Sequence, residues 1–255
     1  MLRRLRLLLL LAILAFVALG TWLDRLQSTD WDGPLLVALY PVNADGSAAA
    51  THEIETSLPA KTSALTDFFD REAHKHGLDL DRPLRFVVAP PLTAAPPLLK
   101  PGAGRFGALL WSLKLRFWNL GIDDPPGPRP TIRLFLLYHD PTIRPRVPHS
   151  AGLQKGLLGI VHLFATSHMA GSNAVVIAHE LLHTLGATDK YDLATNQPRF
   201  PEGFAEPARQ PRYPQDFAEL MAGRIPTSVT ESHTPESLDL VLIGSLTAAE
   251  IGWLR

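Results

Sequence analysis

The sequence predicts a single α/β domain, and three features lead there. Its 255 residues, 46% of them hydrophobic, suffice for one sizeable core and fall short of two full domains. Runs rich in β-branched and aromatic residues alternate with stretches whose apolar positions recur at helical spacing. One helical stretch, "AVVIAHELLHTLG" over 174–186, is apolar enough to be buried, yet it carries two histidines and a glutamate.

The chain opens with "MLRRLR" and an uncharged run over 7–23, "LLLLLAILAFVALGTWL". This run is near the shortest that crosses a hydrocarbon core as a helix. Arginines ahead of it predict a cytoplasmic N-terminus and a translocated remainder. The expectation is an uncleaved transmembrane anchor over 1–23. A cleaved signal peptide is the rival reading, with Ala18 and Gly20 offering a small-residue site. Residues 24–33, "DRLQSTDWDG", are polar and turn-rich and read as a tether, leaving 34–255 as the domain.

Within the domain, "LLVALYPVN" (35–43) and "LRFVVAP" (84–90) are bounded as strands should be. The stretch 53–77 between them spaces Ile54, Leu58, Leu65, Phe68 and Phe69 as a helix does, with Pro59 interrupting or starting it. Proline-dense segments at 91–104 and 123–130 read as surface loops. They flank "RFGALLWSLKLRFWNLG" (105–121), where Phe106, Leu109, Leu110, Leu113, Phe117 and Trp118 predict a helix packed into the core. "TIRLFLLYHD" (131–140) and "GLLGIVHLFA" (156–165) predict two further strands. The histidine-bearing helix should start near Ser172 or Asn173, either of which can cap it, and stop at Gly186. After the irregular, proline-rich stretch 193–216, Thr247 and Glu250 stand at capping-box spacing and predict a last helix.

Composition narrows the function. Lysine plus arginine, 24, nearly balances aspartate plus glutamate, 25, so no strong field would gather nucleic acid. The absence of cysteine excludes disulfides, thiolate ligands and a cysteine nucleophile. His179 and His183, four apart, share one helix face, where one turn aims both imidazoles at a common point. Glu180 adjoins the first of them. In this pattern the two imidazoles hold zinc and the glutamate takes a proton from metal-activated water. Zinc would also satisfy two polar groups that are expensive to bury alone. Gly186 then lets the chain turn sharply and return Asp189, ten residues after His179, toward the same point.

The string His179–Glu180–x–x–His183–x–x–Gly186–x–x–Asp189 resembles the metzincin signature of zinc metalloproteases, with aspartate in place of the third histidine. Met221 in "AELMAG" lies where those enzymes place the Met-turn beneath the metal. The resemblance implies a zincin fold: a twisted mixed β-sheet, an active-site helix and a C-terminal helix. It further implies that the strand at 156–165 is the edge beside which an extended substrate runs. Carried over, His179, His183 and Asp189 become ligands of zinc, and Glu180 becomes the base. Asp189 adds negative charge to the metal shell, which should blunt Lewis acidity. Gly223 stands where some members keep a tyrosine after the methionine. Asp192, Glu202 and Glu206 stay open as rival third ligands, although prolines break up the segment holding the two glutamates. His162, His168 and Tyr191 could line the cleft, His139 and Asp140 read as a turn, and Lys190 reads as solvated.

The expected function is zinc-dependent hydrolysis of peptide or protein substrates outside the cytosol, with the N-terminal helix holding the enzyme at the membrane. Two other classes stay open: a membrane-tethered zinc-binding module without protease activity, and a zinc hydrolase of a non-protein amide such as a cell-wall polymer.

Overall fold

The computed structural model describes residues 30–100, 102–154 and 157–254, together with Arg6 and Leu11. Apart from Leu11, the apolar run at 7–23 lies outside the described residues. Among the described residues, no helix is long and apolar enough to cross a membrane.

The domain is a mixed α/β structure around a five-stranded sheet. Strand β1 (Leu35–Asn43) is followed by helix α1 (Ala48–Lys75), β2 (Leu84–Val88), helix α2 (Arg105–Asn119) and β3 (Ile132–His139). Then come β4 (Ala151–Leu153), β5 (Leu158–Phe164) and helix α3 (Ala170–Leu185). The sheet order is β2-β1-β3-β5-β4. All pairs are parallel except β4 with β5, which is antiparallel. Two short strand pairs follow, β6 (Ala218–Glu219) with β9 (Val241–Leu242) and β7 (Ile225–Pro226) with β8 (Ser232–His233); helix α4 (Ser245–Glu250) closes the chain.

Strand β3 is buried at every position, as a strand covered on both faces must be. Alternation divides its side chains. Leu134, Leu136 and Tyr138 join Val37 and Leu39 of β1 in the core shared with α1 and α3. Phe135 and Leu137 join Ala38, Tyr40 and Val42 on the other face, beneath Leu115 of α2.

Several expectations change. The strand expected over 156–165 is not the edge: β5 lies between β3 and the three-residue β4, which forms the edge and is too short to leave a periodic signal. Pro59 neither starts nor breaks α1, which continues through it. The carbonyl that loses an amide partner there belongs to exposed Glu55, where water can replace the bond, while Leu58 and Leu65 on either side hold the helix to the core. Helix α3 starts at Ala170 rather than at Ser172 or Asn173, because Asn173 is spent elsewhere: its amide donates to the Phe164 carbonyl at 2.8 Å and accepts from the Phe164 amide at 3.2 Å. No capping box opens α4, since Thr247 and Glu250 face other elements. Trp31, inside the expected tether, is buried, and its indole donates to the Ile251 carbonyl at 2.7 Å. Finally, most of the apolar positions of α2 do not reach the core: Phe106, Leu109, Leu110 and Phe117 are exposed, and only Leu115 is fully covered.

These placements predict opposite outcomes for two large-to-small substitutions. Phe69→Ala, at a fully buried position packed against Phe68 and Phe86, should lower unfolding free energy by about 3–5 kcal/mol in a denaturant titration. Leu109→Ala on α2 should change it by less than about 0.5 kcal/mol.

Candidate metal centre

The site is assembled from α3, the bend after it and a turn from the C-terminal third. Gly186 caps α3 with φ of +105°, a left-handed conformation that glycine adopts without strain. The Ala187 amide returns to the Leu182 carbonyl at 3.0 Å, and the chain then doubles back.

Each imidazole is oriented by a backbone carbonyl. His179 Nδ1–H donates to the Leu220 carbonyl at 2.9 Å, and His183 Nδ1–H donates to the Ala187 carbonyl at 2.9 Å. A carbonyl can only accept, so each neutral ring carries its proton on Nδ1 and presents a lone pair at Nε2. The two Nε2 atoms lie 3.1 Å apart. Asp189 Oδ1 lies 3.3 Å from the first and 3.2 Å from the second. This His–His–Asp group could hold a metal ion.

Two buried oxygens test that fit. Asp189 Oδ1 and Glu180 Oε2 are both buried without a hydrogen-bond partner among the described residues. With both rings neutral, two nitrogen lone pairs and a carboxylate oxygen converge and repel one another, and a cation resolves this. The donor set, two imidazoles and a carboxylate, suits zinc and leaves a fourth position open. Burial pushes the Glu180 carboxyl up, against the opposing pull of His179 and His183.

The rival carboxylates are elsewhere. Asp192 accepts from the Ala194 and Thr195 amides within its own turn. Glu206 pairs with Arg209 at 3.0 Å, and Glu202 lines a separate cavity beside Lys75 and His76.

Glu219 and Glu250 organise the surroundings, and the sequence reading had assigned neither to this task. Glu219, fully buried, accepts from Thr247 Oγ1 at 2.7 Å, from the Gly244 amide at 3.2 Å and from the Ala222 amide at 3.0 Å. It thereby fixes the turn through Leu220 and Met221, whose first carbonyl orients His179. Glu250 accepts from the Thr188 hydroxyl at 2.7 Å and amide at 3.0 Å, and pairs with Lys190 at 2.7 Å. Lys190 is therefore buried rather than solvated, and the segment on both sides of Asp189 is anchored. An acidic residue next to "LMAG" was the one available signal for Glu219; two of its three partners lie 25 and 28 residues away.

Ala151 and Gly152 of β4 line a hollow with His183, Asp189 and Tyr191, and a larger cavity continues from it past Ser150. A cavity of about 470 Å³ is lined by Ser150, His162, His179, Glu180, Tyr191 and Arg224, among others. Gly152 brings the edge strand against the helix: a Cβ there would fall 2.4 Å from the Glu180 carbonyl and 2.5 Å from His183 Cβ. His162 bonds His139 through Nδ1 and Nε2 at 2.9 Å, so His139 belongs to a buried imidazole pair rather than to a turn alone. His168 is exposed and does not line the cleft.

No family model matches the chain, and no curated protein matches it. Among solved structures, it is similar to catalytically inactive OgpA from Akkermansia muciniphila, solved in complex with an O-glycopeptide substrate, glycodrosocin. The TM-score is 0.36 and the identity 12%, over 87% of this chain and 63% of that one. The chain therefore spans less than two thirds of that protein, a likeness too distant to carry a function across.

Two measurements follow from the geometry. Gly152→Ala should force β4 and α3 apart and lower unfolding free energy by about 1–3 kcal/mol. Burial, followed by the neighbouring His139 and Arg144, depresses His162 to about 4. The unfolded chain, with an ordinary value of about 6.5, then binds more protons as the medium acidifies. Stability is whole above pH ~6.5 and falls toward pH ~4, by about 1–3 kcal/mol from this group. His162→Gln should flatten that part of the stability–pH curve relative to the wild type.

Proposed function

We propose that the chain is a zinc-dependent peptidase of the metzincin kind, with His179, His183 and Asp189 as ligands and Glu180 as general base. One observation carries this reading: His179 Nε2, His183 Nε2 and Asp189 Oδ1 converge to within about 3.3 Å of one another, beside a second buried carboxylate oxygen that has no partner among the described residues. A site needed only to bind metal has no use for Glu180. The mixed sheet with its antiparallel edge and the buried Met221 turn against His179 support the family assignment.

Bound zinc would acidify water and polarise the carbonyl under attack. The chain's own residues do the rest. Leu220 and Ala187 lock the imidazole tautomers. Glu180, as a carboxylate whose burial makes it a stronger base, would take the proton from the attacking water and hand it to the leaving amine. Tyr191 lines the same cleft, and burial, reinforced by the charges of Asp189 and Glu180, raises its phenol. It therefore remains a donor able to meet the oxygen of that carbonyl. Among the described residues no strand pairs with the outer edge of β4, the place where an extended peptide would add. The apolar run at 7–23 behind its arginines supports a membrane-tethered domain outside the cytosol.

Glu180→Gln should retain zinc at the wild-type level by elemental analysis and lose at least about 10²-fold in peptide hydrolysis. Asp189→Ala should lose the zinc. Unchanged hydrolysis in the first variant would overturn the role of Glu180. Zinc retained in the second would overturn the ligand assignment, and turnover of a cell-wall amide with no peptide cleaved would replace the substrate class.

A further inference from the structure

Helix α2 fastens to the sheet by one side and leaves the other bare. On the inner side Leu115 is buried, the Trp111 indole donates to the Pro97 carbonyl at 2.7 Å, and Trp118 meets Phe135 edge-on at 4.9 Å. Arg133 reaches across from β3 to the Asn119 carbonyl at 3.1 Å. With successive residues turned by about 100°, Phe106, Leu109, Leu110, Leu113, Phe117 and Leu120 fall within an arc of roughly 100° opposite Leu115. Five of these six are between 51% and 75% exposed. Lys114 and Arg116 stand on the two flanks of the stripe, about 80° to either side of its centre. From Phe106 to Ile122 there is no acidic residue.

This pattern has a physical use at a lipid surface. Apolar side chains enter the boundary between headgroups and acyl chains, while flanking lysine and arginine stems reach back to anionic headgroups. A second protein fits less well. The stripe on this single 15-residue helix offers on the order of 600 Å² of accessible surface, short of the roughly 800 Å² per partner of a stable interface. A membrane needs no such area when the same chain carries an apolar run behind three arginines, because tethering raises the effective concentration.

We propose that α2 is a membrane-interfacial helix that lays Phe106, Leu109, Leu110, Leu113, Phe117 and Leu120 into an anionic bilayer surface. The sheet then stands between lipid and the His–His–Asp group, since α2 covers one face and α3 the other. The cleft is left open to substrates arriving from the aqueous side. This placement is independent of whether a metal binds.

The chain contains no cysteine, so single replacements allow unambiguous spin labelling. Leu110→Cys and Phe117→Cys, with Val229→Cys as an exposed control, would be prepared in the full chain and reconstituted into vesicles of phosphatidylcholine and phosphatidylglycerol. Labels at 110 and 117 are expected to be several-fold more accessible to oxygen, and less accessible to a water-soluble nickel chelate, than the label at 229. Adding Lys114→Glu and Arg116→Glu should reduce that contrast. Labels at 110 and 117 as open to the chelate as the control would overturn the proposal. So would shielding from both reagents, which means protein covers the stripe, or dipolar broadening between labels, which means a second copy does.

Discussion

Two carbonyl oxygens, those of Leu220 and Ala187, set the chemistry of the site. By accepting from His179 and His183 at Nδ1 they leave lone pairs at Nε2, and the helix geometry points both at Asp189 Oδ1. Three electron-rich atoms held about 3 Å apart are stable together only around positive charge. The rest of the domain can be understood as what keeps those carbonyls and that carboxylate in place.

Two acids, Glu219 buried and Glu250 half-buried, carry most of that burden. Glu219 gathers Thr247, Gly244 and Ala222 around the turn that supplies the Leu220 carbonyl. Glu250 holds Thr188 and Lys190 on either side of Asp189. Both tie the metal-side loops to the start and end of α4, so the C-terminal helix is part of the site's support although it touches neither imidazole. A carboxylate taken out of water, as Glu219 is, is costly unless fully bonded, and Glu219 is multiply bonded.

The two faces of the sheet have different tasks. One is sealed by α1 and α3 and carries the polar machinery at its edge. The other is covered by α2, whose inner side is tied down by Leu115, Trp111 and Trp118 while its outer side stays apolar. A rigid attachment on one side and a bare hydrophobic stripe on the other make a surface that is preformed rather than adaptive.

Local chemistry was legible in the sequence. The strand at 35–43 follows from β-branched residues between turn formers, the end of α3 from Gly186, and the pairing of His179 with His183 from one helical turn, because each depends on neighbours a few residues away. The spacing through Gly186 also selected Asp189 over Asp192, Glu202 and Glu206. Tertiary structure decided whatever depends on distant partners: β4 as the sheet edge, Asn173 bridging to Phe164 instead of capping, and Lys190 buried on Glu250. It also decided that the apolar positions of α2 face outward. Helical periodicity reports that a face is apolar, but only the assembled sheet determines which face it covers, since burial is a property of two surfaces and the chain records one.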